Sequence, residues 1–332
     1  MKILYAIQGT GNGHLSRAMD VAPALEKHGN VDYFISGAQA DIDFPYEVKY
    51  KSKGLSFYFG THGGIDYSRT LFKNSATRLY KELKSFPIDD YDLIINDFEP
   101  ISAWAAKFKG KKCIALSHQS ALLGDYFPKP EKTDLIGETI LKNYAPAERH
   151  YGFHFESKGD FIFTPIVRKR IRQAKVRNDG HYSVYLPAYS DEKILNVLKL
   201  IPEVSWQVFS KHTKTGRIQS NVTISPIDNE RFVESITSCE GVLCGAGFET
   251  PSEALFLGKK VMVIPMKNQY EQHCNAMALA NIGVPVFAEL SKKYVPEIRE
   301  VLDGQMPKPV EYPDETEEVV DLVIRREVEN VS

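Results

Sequence analysis

The chain alternates short, unbroken apolar runs with longer stretches of helical periodicity. Residues 3–7 are continuously apolar, the pattern of a strand buried on both faces of a parallel sheet. Leu15, Ala18, Met19, Ala22 and Leu25 then recur at helical spacing, and Pro23 is predicted to kink that helix or start a new turn. Residues 31–36 read as a second strand and 47–50 as a third. Residues 54–67 are aromatic and glycine-rich, and read either as a mobile loop over a site or as plain surface. A helix over 67–85 precedes a strand in YDLIINDFEP that ends in acidic residues. A helix over 101–108 and a strand over 113–117 follow.

The pattern breaks at residues 161–177. An apolar strand ending in FIFTP gives way to six basic residues between Arg168 and Arg177. The run reads as a solvated linker face, with contact to anionic lipid or to a ligand phosphate as the alternative. A second alternation then begins. Strands are predicted over 182–186, 205–209, 222–224, 241–243 and 261–264, and helices over 191–200, 230–237, 251–257 and 271–281. Residues 313–327 make a terminal helix. Repeated strand–helix units predict an α/β chain built as two Rossmann-like, doubly wound parallel-sheet domains facing a cleft. The predicted division is 1–164, 165–311 and a terminal helix over 312–332 that packs back across the cleft.

Composition narrows this picture only at its margins. With 332 residues and 43% hydrophobic content the chain can bury two cores. A net charge of −2 supplies no field for nucleic acid. Cys113, Cys239, Cys244 and Cys274 form no metal-like spacing, which suits reduced thiols. Residues 1–9 read as a first strand rather than a signal peptide, and no run of about 18 apolar residues occurs. The expectation is a cytoplasmic protein, with peripheral contact to the inner membrane face left open.

Two glycine turns carry the candidate chemistry. QGTGNGH spans 8–14 and CGAGFE spans 244–249. A glycine turn between strand and helix presents backbone N–H groups at the positive end of a helix dipole, where a diphosphate is held. Gly11, Gly13, Gly245, Ala246 and Gly247 are the candidates. No acidic residue ends the second strand at Ser36, so a dinucleotide is not expected. Asp97 and Glu99 lack partners at metal-ligand spacing, and neither a metal nor another cofactor is expected.

The second turn, Glu253, Pro265 and the run Glu271-Gln272-His273-Cys274-Asn275-Ala276 together resemble the GT-B glycosyltransferases. The stretch looks most like the lipid-linked peptidoglycan-precursor GlcNAc transferases, and more distantly like the UDP-glycosyltransferases. The N-terminal strand and GxGxGH start match as well. The resemblance implies a UDP-sugar co-substrate. Glu253 would accept hydrogen bonds from the ribose hydroxyls; the competing reading is a capping box with Thr250 at the N-cap and Glu253 three positions on. Glu271 and Gln272 inherit the donor-sugar hydroxyls, with Gln269 beside them. Ser190 and Lys211 each follow a strand and reach the same edge, though Ser190 also suits an N-cap and Lys211 a solvated loop. Ile227 would cover the base.

His14 is the candidate general base, since imidazole titrates near neutral pH. Asp97 would orient it, and Glu99 is a rival base or orienter. Helix capping or acceptor binding is the bland alternative for His14. Glu249 and Glu253 are four apart rather than in the spacing of retaining relatives, which points to inversion. The sequence thus predicts an inverting transfer from a UDP-sugar to an unidentified hydroxyl acceptor, whether glycan, lipid-linked or small molecule. A UDP-sugar 2-epimerase of the same fold and a catalytically silent nucleotide-sugar binding protein are the alternatives.

Overall fold

The computed structural model describes residues 1–37, 43–54, 76–130 and 134–328. The aromatic loop read over 54–67, apart from Gly54, and the start of the helix read over 67–85 lie outside the described residues; the described helix there is Ala76–Ser85. Seven strands form the first sheet: β1 (Lys2–Gln8), β2 (Asn30–Ser36), β3 (Val48–Ser52), β4 (Leu93–Asp97), β5 (Ile114–Ser117), β6 (Arg149–Phe153) and β7 (Ile162–Phe163). Their order is β3-β2-β1-β4-β5-β6-β7, and every pairing is parallel. Strand order therefore reverses between β1 and β4, where Ile7 lies opposite Asp97. Loops that leave a sheet at such a point diverge and open a crevice.

Six strands form the second sheet: β8 (His181–Tyr185), β9 (Ser205–Ser210), β10 (Arg217–Gln219), β11 (Val222–Pro226), β12 (Gly241–Gly245) and β13 (Lys260–Ile264). The order is β10-β11-β9-β8-β12-β13, with only the β10–β11 edge pair antiparallel. Here the reversal falls between β8 and β12. β6 and β10, which sequence periodicity did not predict, are the strand next to the β7 edge and an exposed hairpin arm.

Helices cover the sheets with small and branched residues. Helix Asn12–Glu26 runs without interruption through Pro23, and buries Leu15, Ala18, Val21, Ala22 and Leu25. The terminal helix Thr316–Glu327 packs Val319, Val320, Val323 and Ile324 into the same core. The last segment of the chain thus rests on the first sheet's helix, and does so from the second half. Trp206, fully buried, centres the far face of the second sheet.

The basic run between Arg168 and Arg177 is not simply a solvated face. Arg168 is mostly buried. Arg172 lies over the Phe256 ring and donates to the Tyr312 and Pro313 carbonyls at 2.7 and 2.9 Å. Arg170 and Arg177 do face solvent. A guanidinium can satisfy backbone carbonyls in the joint between halves because its donors are fixed in a plane.

Candidate active site

The two sheets present their switch points to one cleft of about 300 Å³. Each wall offers a helix that begins without a side-chain cap. Helix Asn12–Glu26 follows the extended N-cap Gly11, and helix Glu249–Phe256 follows Phe248. A helix N-terminus of this kind lies at the positive end of its dipole, which favours an anion there. Gly11, Gly13, Gly245 and Gly247 line the cleft. A methyl group at Gly13 would run into the Glu249 carboxylate, which would have to swing aside.

β4 and the turn after it place the acidic residues. Phe98 adopts φ 57°, a left-handed conformation that costs a residue with a Cβ about 1 kcal/mol or more. Asn96 braces it, donating from Nδ2 to the Glu99 carbonyl at 2.7 Å and accepting from the Glu99 N–H at 2.9 Å. The turn sends Asp97 toward helix Asn12–Glu26 and Glu99 away from it. Asp97 Oδ1 lies 2.8 Å from His14 Nδ1. The Gln119 amide nitrogen lies 3.4 Å from His14 Nε2 and donates to Glu271 at 3.0 Å. An acceptor at Nδ1 and a donor at Nε2 select one tautomer, with the proton on Nδ1 and the lone pair of Nε2 facing the cleft.

Arg17, one helical turn after His14, was not among the residues the sequence singled out. It donates to both Asp97 oxygens, Nε to Oδ2 at 3.2 Å and an NH2 group to Oδ1 at 2.6 Å. Its remaining NH1 group pairs with Glu249 on the opposite wall. Burial alone would depress the His14 ring; the charge and hydrogen bond of Asp97 outweigh it and hold the ring above its ordinary value, with Arg17 opposing and Glu249 assisting. Burial alone would raise the Asp97 carboxyl, yet Arg17 and His14 keep it below the usual carboxylate range. The spacing of His14 and Arg17, three apart on a helix, is the local feature that could have pointed to Arg17.

Three of the sequence-derived candidates do not line the cleft in the roles expected of them. Glu99 is fully buried and caps helix Pro100–Lys109, accepting from the Ile101 and Ser102 N–H groups at 2.7 and 2.6 Å. It also accepts from the Ser36 and Ser102 hydroxyls at 2.5 and 2.6 Å. With every oxygen engaged by a donor, it serves the fold and not proton transfer. Ser190 takes its alternative reading, accepting from Lys193 N–H to cap helix Asp191–Leu198. Ala246 is buried, and its carbonyl accepts from Asn275 at 3.1 Å.

The remaining candidates line the cleft: Lys211, Ile227, Glu253, Gln269, Glu271 and Gln272. The capping box at Thr250 does not form, because the helix already begins at Glu249. Pro251 then sits in the first turn, where its missing N–H costs nothing. Glu253 instead meets Arg168 in a two-bond fork, Nε to Oε1 at 2.5 Å and an NH2 group to Oε2 at 2.7 Å. Each carboxylate oxygen keeps a lone pair for a second donor. Gln269 caps helix Tyr270–Asn281 and Gln272 Oε1 accepts from Met266 N–H at 3.0 Å, which fixes both side chains. Gln119, Arg168, Asn229 and Phe98 also line the cleft; nothing in their immediate sequence marks them except the basic run for Arg168. Among the described residues, no group of three His, Cys, Asp or Glu side chains could hold a metal ion, and no helix is long and apolar enough to cross a membrane.

Comparison with known proteins bears on the fold and the family. No curated protein matches the chain. Among solved structures, UGT2 of Phytolacca americana, complexed with UDP-2-fluoro-glucose and pterostilbene, superposes with a TM-score of 0.57 at 14% identity, covering 99% of this chain and 95% of that one. MurG of Acinetobacter baumannii gives 0.56 at 13%, covering 98% and 99%. The glycotransferase of kitacinnamycin gives 0.56 at 14%, covering 99% and 95%. These likenesses establish the GT-B fold that the sequence resemblance implied. The family model described as "Glycosyl transferase family 1" matches residues 1–302. The chain belongs to glycosyl transferase family 1 and is a glycosyltransferase.

Proposed function

We propose that the protein transfers a sugar from a UDP-sugar to a hydroxyl acceptor with inversion, His14 acting as general base. The observation that carries this reading is the His14 ring, held by Asp97 at 2.8 Å and presenting Nε2 to the cleft between the two glycine turns. A hydroxyl taking the place of Gln119 at Nε2 loses its proton there as its oxygen attacks the anomeric carbon. One carbon–oxygen bond forms as the bond to the departing UDP breaks on the opposite face. Charge on the leaving diphosphate is met by the two open helix N-termini and by Lys211. The Glu253 lone pairs left by Arg168 take the ribose hydroxyls, and Glu271, Gln269 and Gln272 face the sugar. The UDP complex of the Phytolacca enzyme supports the choice of nucleotide. Phe98, Ile140 and Leu141 form an apolar wall on the His14 side of the cleft, which suits an acceptor with an apolar portion.

Two variants test this separately. Calorimetry of Glu253→Ala with UDP-glucose and UDP-GlcNAc should show donor affinity reduced about tenfold or more, for loss of charge-assisted bonds. Unchanged affinity rejects the donor site. His14→Ala should keep donor affinity and lose about 10²–10⁴ in kcat. Turnover at the wild-type rate rejects the base while leaving the family intact. In the wild type, kcat/KM should rise with pH through a midpoint above about 6.5, the ordinary imidazole value, because the folded ring holds its proton more tightly.

A further inference from the structure

The buried cluster around Arg17 extends beyond a base and its orienting carboxylate. His14 and Arg17 share Asp97 from one wall of the cleft, while Glu249 reaches Arg17 from the other. Arg17 and Asp97 are 2% and 0% exposed, whereas Glu249 is 24% exposed. Glu249 stands on the first turn of helix Glu249–Phe256 and lines the cleft beside both glycine turns. An unpaired carboxylate there would repel a diphosphate. Arg17 removes that obstacle by pairing with it, and does so with a guanidinium anchored in the first half of the molecule.

We propose that Arg17 is a positioning residue that couples the two walls: Glu249 draws on its charge across the cleft, so that approach of the second wall frees Asp97 to serve His14. With the walls apart, the whole guanidinium charge falls on Asp97, and the pull of Asp97 on the Nδ1 proton weakens. With the walls together, Glu249 takes part of that charge, the Asp97–His14 pair strengthens, and Nε2 becomes the stronger base. The closed cleft is also where the donor is held between the two glycine turns, so the base gains strength when there is a substrate to act on. The catalytic part of this inference rests on His14 being the base; the electrostatic part does not.

The charged and titratable groups around the cluster come from every packed element. Asp97 faces it from β4, the Tyr5 hydroxyl from β1 and Glu249 from the opposite helix, with Arg168 beyond Glu249. On the remaining sides lie the Gln119 amide, the Phe153 ring 5.8 Å from the guanidinium carbon, and buried His118, whose ring feels the Glu249 charge. The groups nearest His14 therefore push in two directions that substitution can separate. Removing Arg17 takes away a cation whose NH2 group lies 3.1 Å from Nδ1 and leaves Asp97 to His14 alone; both changes strengthen the ring's hold on its proton. Removing the Glu249 charge returns Arg17 to Asp97 and weakens that hold.

The test is an NMR titration of the histidine ring resonances in the full chain, with His14 assigned by its loss in His14→Gln. Arg17→Gln should move the His14 midpoint up by about one pH unit, and Glu249→Gln should move it down by a comparable amount. Arg17→Lys, which keeps the charge but not the fork, should fall between wild type and Arg17→Gln. Midpoints that stay put, or that move the same way in both variants, overturn the proposal. If Arg17→Gln does not fold, Glu249→Gln decides alone, since that side chain is the accessible member, and an unchanged or raised midpoint overturns the proposal. The acid limb of kcat/KM should follow each midpoint. A midpoint that moves without the rate limb moving supports Arg17 and rejects His14 as base, so the two readings fail separately.

Discussion

Asp97 must satisfy two partners with two oxygens, and this makes it the least replaceable residue in the cleft. His14 and Arg17 both donate to it, and it is fully buried. Asparagine has nearly the same shape but one acceptor, and its NH2 group would face a donor. Either Arg17 loses a bond or the His14 ring changes tautomer, placing its proton on the nitrogen that should accept. Asp97→Asn is therefore expected to lose about 10³–10⁴ in kcat, as when the carboxylate of a catalytic triad is replaced, with donor affinity within about threefold. Single-turnover kinetics beside calorimetry separates the two; a loss of donor binding instead would mean that the cleft had collapsed. Of this cluster, His14 and Asp97 were legible in the sequence, because a histidine after the first strand and an aspartate at the end of a later one are local patterns. Arg17 and Glu249 were not picked out. Their importance lies in a contact between residues 232 positions apart, which no window of sequence contains.

The elements around the cleft show the same division between local and distant information. Strand and helix positions were readable because unbroken apolar runs and helical periodicity are set by burial on the element itself. The start of helix Glu249–Phe256 was misread, since TPSE has the composition of a capping box while the chain turns helical at Glu249. What holds Glu253 is then Arg168, from a segment the sequence suggested was solvated. Ser190 and Arg168 make a contrast that denaturant unfolding can measure. Ser190→Ala removes one capping bond and should cost about 1 kcal/mol, with donor affinity unchanged. Arg168→Ala leaves Glu253, 3% exposed, without its partner, and should cost about 3–5 kcal/mol as well as weakening UDP binding. Equal costs for the two would show that the Arg168–Glu253 fork is no more than a surface contact.

At the scale of the whole molecule, the two halves are joined both in the cleft and behind it. In the cleft polar joints, Arg17 with Glu249, Gln119 with Glu271 and His118 with Asn275 at 2.7 Å, stand beside an apolar cluster of Leu122, Leu141, Tyr270 and Cys274. Behind it, the terminal helix is held mainly by burial. Its exposed ion pairs, Lys27 with Glu317 and His28 with Asp321, contribute little in water. Val319, Val320, Val323 and Ile324 are all nearly inaccessible, and burying four such side chains contributes roughly 6–12 kcal/mol. That is comparable to the entire stability of a typical domain. Glu327 adds a buried anchor, accepting from the Tyr151 hydroxyl at 2.6 Å and pairing with Lys112 at 2.7 Å. Deleting residues 312–332 should therefore unfold the first half, although those residues lie farthest from it in sequence. The graded version is Ile324→Ala, expected to cost about 2–5 kcal/mol by urea unfolding of the full chain. UDP affinity should be retained under conditions where this variant is folded, because the helix touches the core and not the cleft. A deletion that leaves the unfolding midpoint in place would show that the last helix merely rests on the surface, and that the contacts across the cleft hold the halves together without it.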